Sequence, residues 1–304
     1  MPVGKNILSV VEPPAPHWVG DGFPVRSLFT YDQLGAQVSP FLLLDYAGPA
    51  QFAPAGRPRG VGEHPHRGFE TVTIVYSGEV AHRDSAGGGG IIGPGDVQWM
   101  TAGAGIVHDE FHSPAFTRRG GMLEMAQLWV NLPAKHKMTD PRYQTIVSAA
   151  IPEVPLPGGA GRLRVIAGGY AGIAGPASTF SPLNVWDLRI CAGRGAALEI
   201  PKGYNTVLAV LHGTIRVNGA SPVGAAQLVV LNRAGGPVQI DAGDADDAVL
   251  LMLGGAPIDE PIVGYGPFVM NTREEIQIAM DDFRSGKFGR IPALNVAPRA
   301  GARA

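Results

Sequence analysis

Residues Glu63 to His112, EHPHRGFETVTIVYSGEVAHRDSAGGGGIIGPGDVQWMTAGAGIVHDEFH, decide how the rest of the chain is read. The stretch begins with His64, Pro65 and His66 and closes with His108, Asp109 and Glu110. Side chains alternate between the two faces of an extended segment, so the first and third residues of each triplet point the same way. Each triplet then offers two donors, His64 with His66 and His108 with Glu110. Between them lie apolar positions at Val72, Ile74 and Tyr76 and Gly-rich turns at Gly87 to Gly90 and Gly93 to Asp96. A chain of this kind folds back on itself and brings the triplets together. The expected product is a pocket of three histidines and one glutamate.

Three segments in this stretch, HPHRGFETVT at 64–73, GPGDVQWMTAG at 93–103 and GIVH-x-E at 105–110, follow in a fixed order, and LWVNLP at 128–133 and GPFVMNT at 266–272 extend the pattern over nearly the whole chain. By these segments the sequence resembles the pirins, a branch of the cupin superfamily of β-barrels. The resemblance implies an all-β bicupin, two double-stranded β-helix barrels, with one iron in the N-terminal barrel. The positions it carries over as metal ligands are His64, His66, His108 and Glu110.

Length and composition agree with that architecture. A chain of 304 residues is long enough for one large or two medium domains with a sizeable core. Its 43 glycines and 27 prolines have no collagen-like period, which points to many turns between short strands. The net charge of −2, without a continuous Lys/Arg stripe, gives direct nucleic-acid binding little electrostatic support. Cys191 is the only cysteine, so no internal disulfide can form, as expected in a reducing cytosol. The start, MPVGKNILSVVEPPAP, lacks an apolar signal core, and AVLLMLGGAPI at 248–258 is too short to span a bilayer. The expectation is a cytoplasmic monomer that does not engage membrane.

Taken in order, Ile7 to Val11 reads as an edge strand followed by Pro13, Pro14 and Pro16. FLLLD at 41–45 is a short apolar run, residues 48–62 form a loop into His64, and MLEMAQLWVNL at 122–132 is a strand ended by Pro133. The N-terminal domain is placed at 1–134, a linker rich in Pro and Gly at 135–160, and a C-terminal domain at 161–304. In the second half, strand-like runs near 163, 185, 206–217, 228 and 249 suggest another barrel. Its counterpart of the first triplet, PKGYN at 201–205, has no histidine, so that barrel is expected to be metal-free. Thr272 to Glu275 is a capping-box signature, and Ile276, Ala279, Met280 and Phe283 recur at helical spacing until Gly286. This short C-terminal helix is expected to pack on a barrel exterior, and the tail VAPRAGARA to be loose.

Three imidazoles and a carboxylate suit Fe, Mn, Co, Ni, Cu or Zn better than Ca or Mg. A six-coordinate ion held this way keeps two open positions. Glu70 stands at the H-x-H-x3-E spacing by which many cupins supply a carboxylate ligand; the pirin resemblance favours Glu110 and leaves Glu70 to orient an imidazole. His112 continues the parity of His108 and Glu110, but Pro114 places it near the rim. His82 and Asp84 are expected as an exposed polar pair, Gly87 to Gly90 as a hairpin turn, Trp99 and Met100 as core or pocket wall, and Cys191 as an inert core thiol. The resemblance implies a dioxygenase that opens a flavonol such as quercetin with dioxygen at iron, with a small aromatic substrate and Glu110 as proton acceptor. The alternative is a redox-sensing regulator that uses the same iron to bind a regulatory protein partner. A third reading is a metal-dependent isomerase or hydrolase on the same scaffold.

Overall fold

A computed structural model describes residues 5–292 of the chain; the tail at 296–304 lies outside the described residues. Phe69–Ser77, FETVTIVYS, buries seven residues in a row, which an amphipathic edge strand would not do. The run is covered on both faces. Val75 faces a first-barrel core with Phe23, Val25, Ala47, Phe52, Val80, Ile92 and Met125. Val72 and Ile74, of opposite parity, join a core shared with Val207, Ala209, Leu251 and Leu253 of the second half. Strand alternation thus gives one segment two apolar partners.

The strand sits in a seven-stranded sheet ordered Arg142–Ile146, Val97–Thr101, Phe69–Ser77, Gly121–Asn131, Phe41–Phe52, Phe23–Thr30, His17–Val19. A four-stranded sheet, Gly60–His66, Ile106–His112, Val80–Asp84, Gly89–Ile92, completes the first barrel. The second half repeats the plan with a seven-stranded sheet and a three-stranded sheet. Its interior is filled by Leu163, Val165, Trp186, Leu188, Val210, Ile240, Leu250 and Met252. The chain is therefore a bicupin whose two large sheets pack face to face.

Some segments depart from a simple division in sequence order. Ile7–Val11 is an edge strand, but it pairs with Leu228–Leu231 of the second half. Residues 135–160 carry the chain between the halves and add an edge strand to each, Arg142–Ile146 beside Val97–Thr101 and Glu153–Pro155 beside Gly161–Ala167. The hairpin turn before Gly89–Ile92 is held by Asp84, whose Oδ1 accepts from Ala86 N at 2.9 Å and Gly88 N at 2.8 Å. Trp99 and Met100 are fully buried in the core. Cys191 is a correction: it lies just past the Leu183–Ile190 strand and is half-buried, because the strand has ended before it.

The C-terminal helix runs Arg273–Arg284 with the expected capping box. Thr272 Oγ1 accepts from Glu275 N at 3.1 Å, and Glu275 Oε2 accepts from Thr272 N at 3.0 Å. Ile276 and Ala279 are buried against Val107, Phe268, Met270 and Phe288, so the helix returns to cover the first barrel behind the Ile106–His112 strand. Phe283, expected on the buried face, is partly exposed instead. Asp282 anchors the helix through Arg67 at 2.9 Å, while Arg67 Nε donates to Ala104 O and its guanidinium lies over Phe288. Among the described residues no helix is long and apolar enough to cross a membrane.

Candidate metal centre

Gly60–His66 and Ile106–His112 pair antiparallel, with His64 opposite His108 and His66 opposite Ile106. Alternation keeps His64, His66 and His108 on the interior face. Their ring centroids are 4.2 Å (His64 to His108), 4.8 Å (His66 to His108) and 4.9 Å (His64 to His66) apart. One donor atom from each lies within 4.8 Å of the others. His66 and His108 are buried and His64 half-buried.

The rings are set up as electron-pair donors. Burial pushes His66 well below its ordinary value and His108 down to about 3, so both are neutral at physiological pH. His66 Nδ1 and both ring nitrogens of His108 are buried without a hydrogen-bond partner. His64 Nδ1 is 2.8 Å from Gly62 O, which assigns the proton to Nδ1 and leaves Nε2 with its lone pair. The unpartnered ring nitrogens of His66 and His108 are costly to bury unless something binds them. A transition-metal ion fits this donor set.

Glu110 stands one strand rung away, beyond a bulge where Gly62 and Glu63 oppose Asp109 alone. It is outside the three-histidine group and borders the same cavity. In register it faces His82, whose Nδ1 is 3.2 Å from Glu110 Oε1 without an aligned hydrogen bond. Gln127 Nε2 donates to the same oxygen at 3.3 Å. Burial raises the Glu110 carboxyl, but His82 and the surrounding imidazoles outweigh it and hold the group well below the usual carboxylate range.

Glu70 does not orient an imidazole. Gly68, at φ +88°, breaks the chain between His66 and the next strand, so the parity counted through it is lost. Glu70 shares the face of Val72 and Ile74, away from the histidines, and accepts from Thr101 Oγ1 at 2.7 Å. The expected exposed pair, His82 and Asp84, is buried, because Val80–Asp84 pairs with Ile106–His112 and turns that face inward. His112 is off the cluster but not at a rim: it is buried among Phe23, Phe52 and Phe116, and its Nε2 is 2.9 Å from Gly22 O.

A cavity of about 390 Å³ opens beside His64, His66 and Glu110, walled by Phe23, Val25, Val61, Met125 and Trp129. Trp129 stacks on Phe69 at 4.3 Å, and Phe69 in turn abuts His66. Asp45 and Gln127 bring polar groups into the apolar wall. Burial pushes the Asp45 carboxyl up, and Ser27 Oγ donates to it at 2.5 Å. Sequence reading missed His82, Asp45 and Gln127. The signal for His82 was its shared parity with Val80, an apolar residue that had to face inward.

Two family models cover most of this architecture: Pirin over residues 22–130 and the Pirin C-terminal cupin domain over 185–289. Rat pirin is 38% identical over 258 residues, covering 83% of each chain. The chain belongs to the pirin family. Among its relatives, a Pseudomonas aeruginosa protein provisionally named a quercetin 2,3-dioxygenase is 58% identical over 286 residues, 94% of this chain and 99% of that one. A crystal structure titled quercetin 2,3-dioxygenase from Acinetobacter baumannii is 53% identical with a TM-score of 0.92, covering 95% of this pirin and all of that chain.

Proposed function

We propose that this pirin is a metal-dependent dioxygenase that opens a flavonol of the quercetin type, with His64, His66, His108 and Glu110 as the donor set for one iron. The observation that carries the reading is the clustering of His64, His66 and His108, the latter two with buried ring nitrogens that have no hydrogen-bond partner, at the edge of an apolar cavity. The names of the Pseudomonas and Acinetobacter relatives support the choice of substrate and reaction. A bound iron supplies Lewis acidity toward the substrate hydroxyl and the one-electron chemistry that lets an aromatic phenolate react with dioxygen.

The chain's own residues bind, shield and move a proton. A volume of about 390 Å³ is in the range of small-molecule sites, roughly 300–1,000 Å³. Phe23, Val25, Met125 and Trp129 flank a planar aromatic ligand and exclude water. Glu110 is ionised at neutral pH and therefore in the form that accepts the hydroxyl proton. Gln127 donates to Glu110, and His82 faces it from the neighbouring strand. Asp45 and Gln127 meet further hydroxyls of the ligand. An apolar cavity next to the donors is what catalysis requires, whereas a redox regulator would need only a closed site.

The metal assignment is tested by elemental analysis after reconstitution with ferrous iron. About one iron per chain is expected in the wild type, with the metal lost in the His64→Ala plus His108→Ala double variant. Full metal content in that variant would remove the donor set from the account.

A further inference from the structure

A second cavity, of about 310 Å³, lies in the crevice between the barrels and shares no lining residue with the cavity beside the histidines. The first barrel contributes Tyr76, Pro94 and Gly95, and the second contributes Arg162, Arg164, Asp187, Arg189 and Val249. Three guanidinium groups thus face two carboxylates, Asp187 and Glu153. Arg164 is fully engaged: Nη1 donates to Asp187 Oδ2 at 3.0 Å, and Nη2 donates to Gly95 O at 2.6 Å and Ser148 Oγ at 3.2 Å. Arg162 makes only a loose, exposed contact with Glu153 at 3.4 Å. Arg189 has no ion-pair partner among the described residues.

Arg162 and Arg189 are direct cross-strand partners, whereas the next pair on the same face is Arg164 with Asp187. Like charges directly opposite on one sheet face destabilise it, and an oxyanion between them reverses the sign of that interaction. Asp247, in the cavity that adjoins across Arg162 and Arg189, is already used by Ala192 N at 3.0 Å. A separate observation comes from the other barrel. Tyr76 lines the crevice, and its hydroxyl is shielded from solvent and has no hydrogen-bond partner. A buried O–H of this kind calls for an acceptor.

We propose that the crevice binds a small oxyanion ligand, phosphate- or carboxylate-bearing, whose anionic group bridges Arg162 and Arg189 while an acceptor oxygen takes the Tyr76 hydroxyl. The forked geometry of two guanidiniums suits either oxyanion. The ligand touches both barrels, so its binding fastens one to the other.

The test is calorimetric titration of the full-length, iron-loaded protein with inorganic phosphate and, separately, citrate, at constant ionic strength set with chloride. One site per chain is expected for at least one of them; phosphate alone would assign a phosphorylated ligand, and citrate alone a carboxylate. Arg189→Gln and Arg162→Gln should each weaken binding tenfold or more, and Tyr76→Phe severalfold. Cys191, the only cysteine, lines the adjoining cavity and provides a second readout. Bound anion should slow its modification by a thiol reagent in the wild type and not in Arg189→Gln. Failure of both anions to bind at millimolar concentration overturns the site, as does binding that Arg189→Gln leaves unchanged.

Discussion

Replacing Glu70 by Gln separates the two roles open to this carboxylate, metal support or a buried charge in the sheet. Burial raises its pKa from 4.5 to about 7, with the Thr101 hydrogen bond and Arg142 opposing only part of the effect. Below pH 4.5 the group is protonated in folded and unfolded chains alike and contributes nothing to pH dependence. Between 4.5 and 7 the unfolded chain has lost the proton and the folded chain retains it, so stability falls as pH rises and levels off above 7. A shift of about 2.5 units corresponds to about 3 kcal/mol. Glu70→Gln removes this loss while keeping a carbonyl oxygen for Thr101 Oγ1. Chelator-treated wild type and variant should be unfolded in urea at several pH values, followed by tryptophan fluorescence. The variant's advantage should grow by about 3 kcal/mol from pH 4.5 to 7.5. Iron content at neutral pH should be unchanged. A difference that stays flat with pH, or loss of iron in Glu70→Gln, would refute the reasoning.

Other perturbations report on the supports of the centre. His82→Ala removes the imidazole that faces Glu110, and partners of this kind typically contribute about 10–100-fold in metal affinity or activity; competition with a chelator and steady-state kinetics should show a loss in that range, and wild-type values would leave His82 without a role. Arg67→Ala leaves Asp282 without its buried partner, so unfolding free energy should fall by about 3 kcal/mol, the lower end for a broken buried pair because Lys287 also contacts Asp282; a loss under about 1 kcal/mol would mean that the helix does not depend on this anchor. Ile74→Ala opens a cavity in the core shared by the barrels and should cost about 2–5 kcal/mol by denaturant unfolding.

The parts of the centre that could be read from sequence are those carried within an unbroken strand. His64 and His66, and likewise His108 and Glu110, share faces because no residue between them disturbs the alternation. The same count failed for Glu70 because it ran through Gly68, where an added Cβ would lie 2.0 Å from Val269 O and where the left-handed backbone resets the strand. His82 was hidden by its polar neighbours Arg83 and Asp84, although register places it opposite Glu110. The barrels were legible from turn spacing, but the pairing of Ile7–Val11 with Leu228–Leu231 spans more than two hundred residues and leaves no local mark. The capped helix was legible from Thr272 and Glu275; that it would clasp Arg67 of the first barrel was not, since such a contact depends on tertiary packing alone.

The central claim is tested most directly by incubating the iron-loaded protein with quercetin in the presence and absence of dioxygen. The account predicts that flavonol absorbance falls over many turnovers only when oxygen is present, that carbon monoxide is released, and that Glu110→Gln lowers kcat more than it raises KM. No flavonol consumption by fully iron-loaded protein would contradict it and leave the redox-dependent regulator as the reading to pursue.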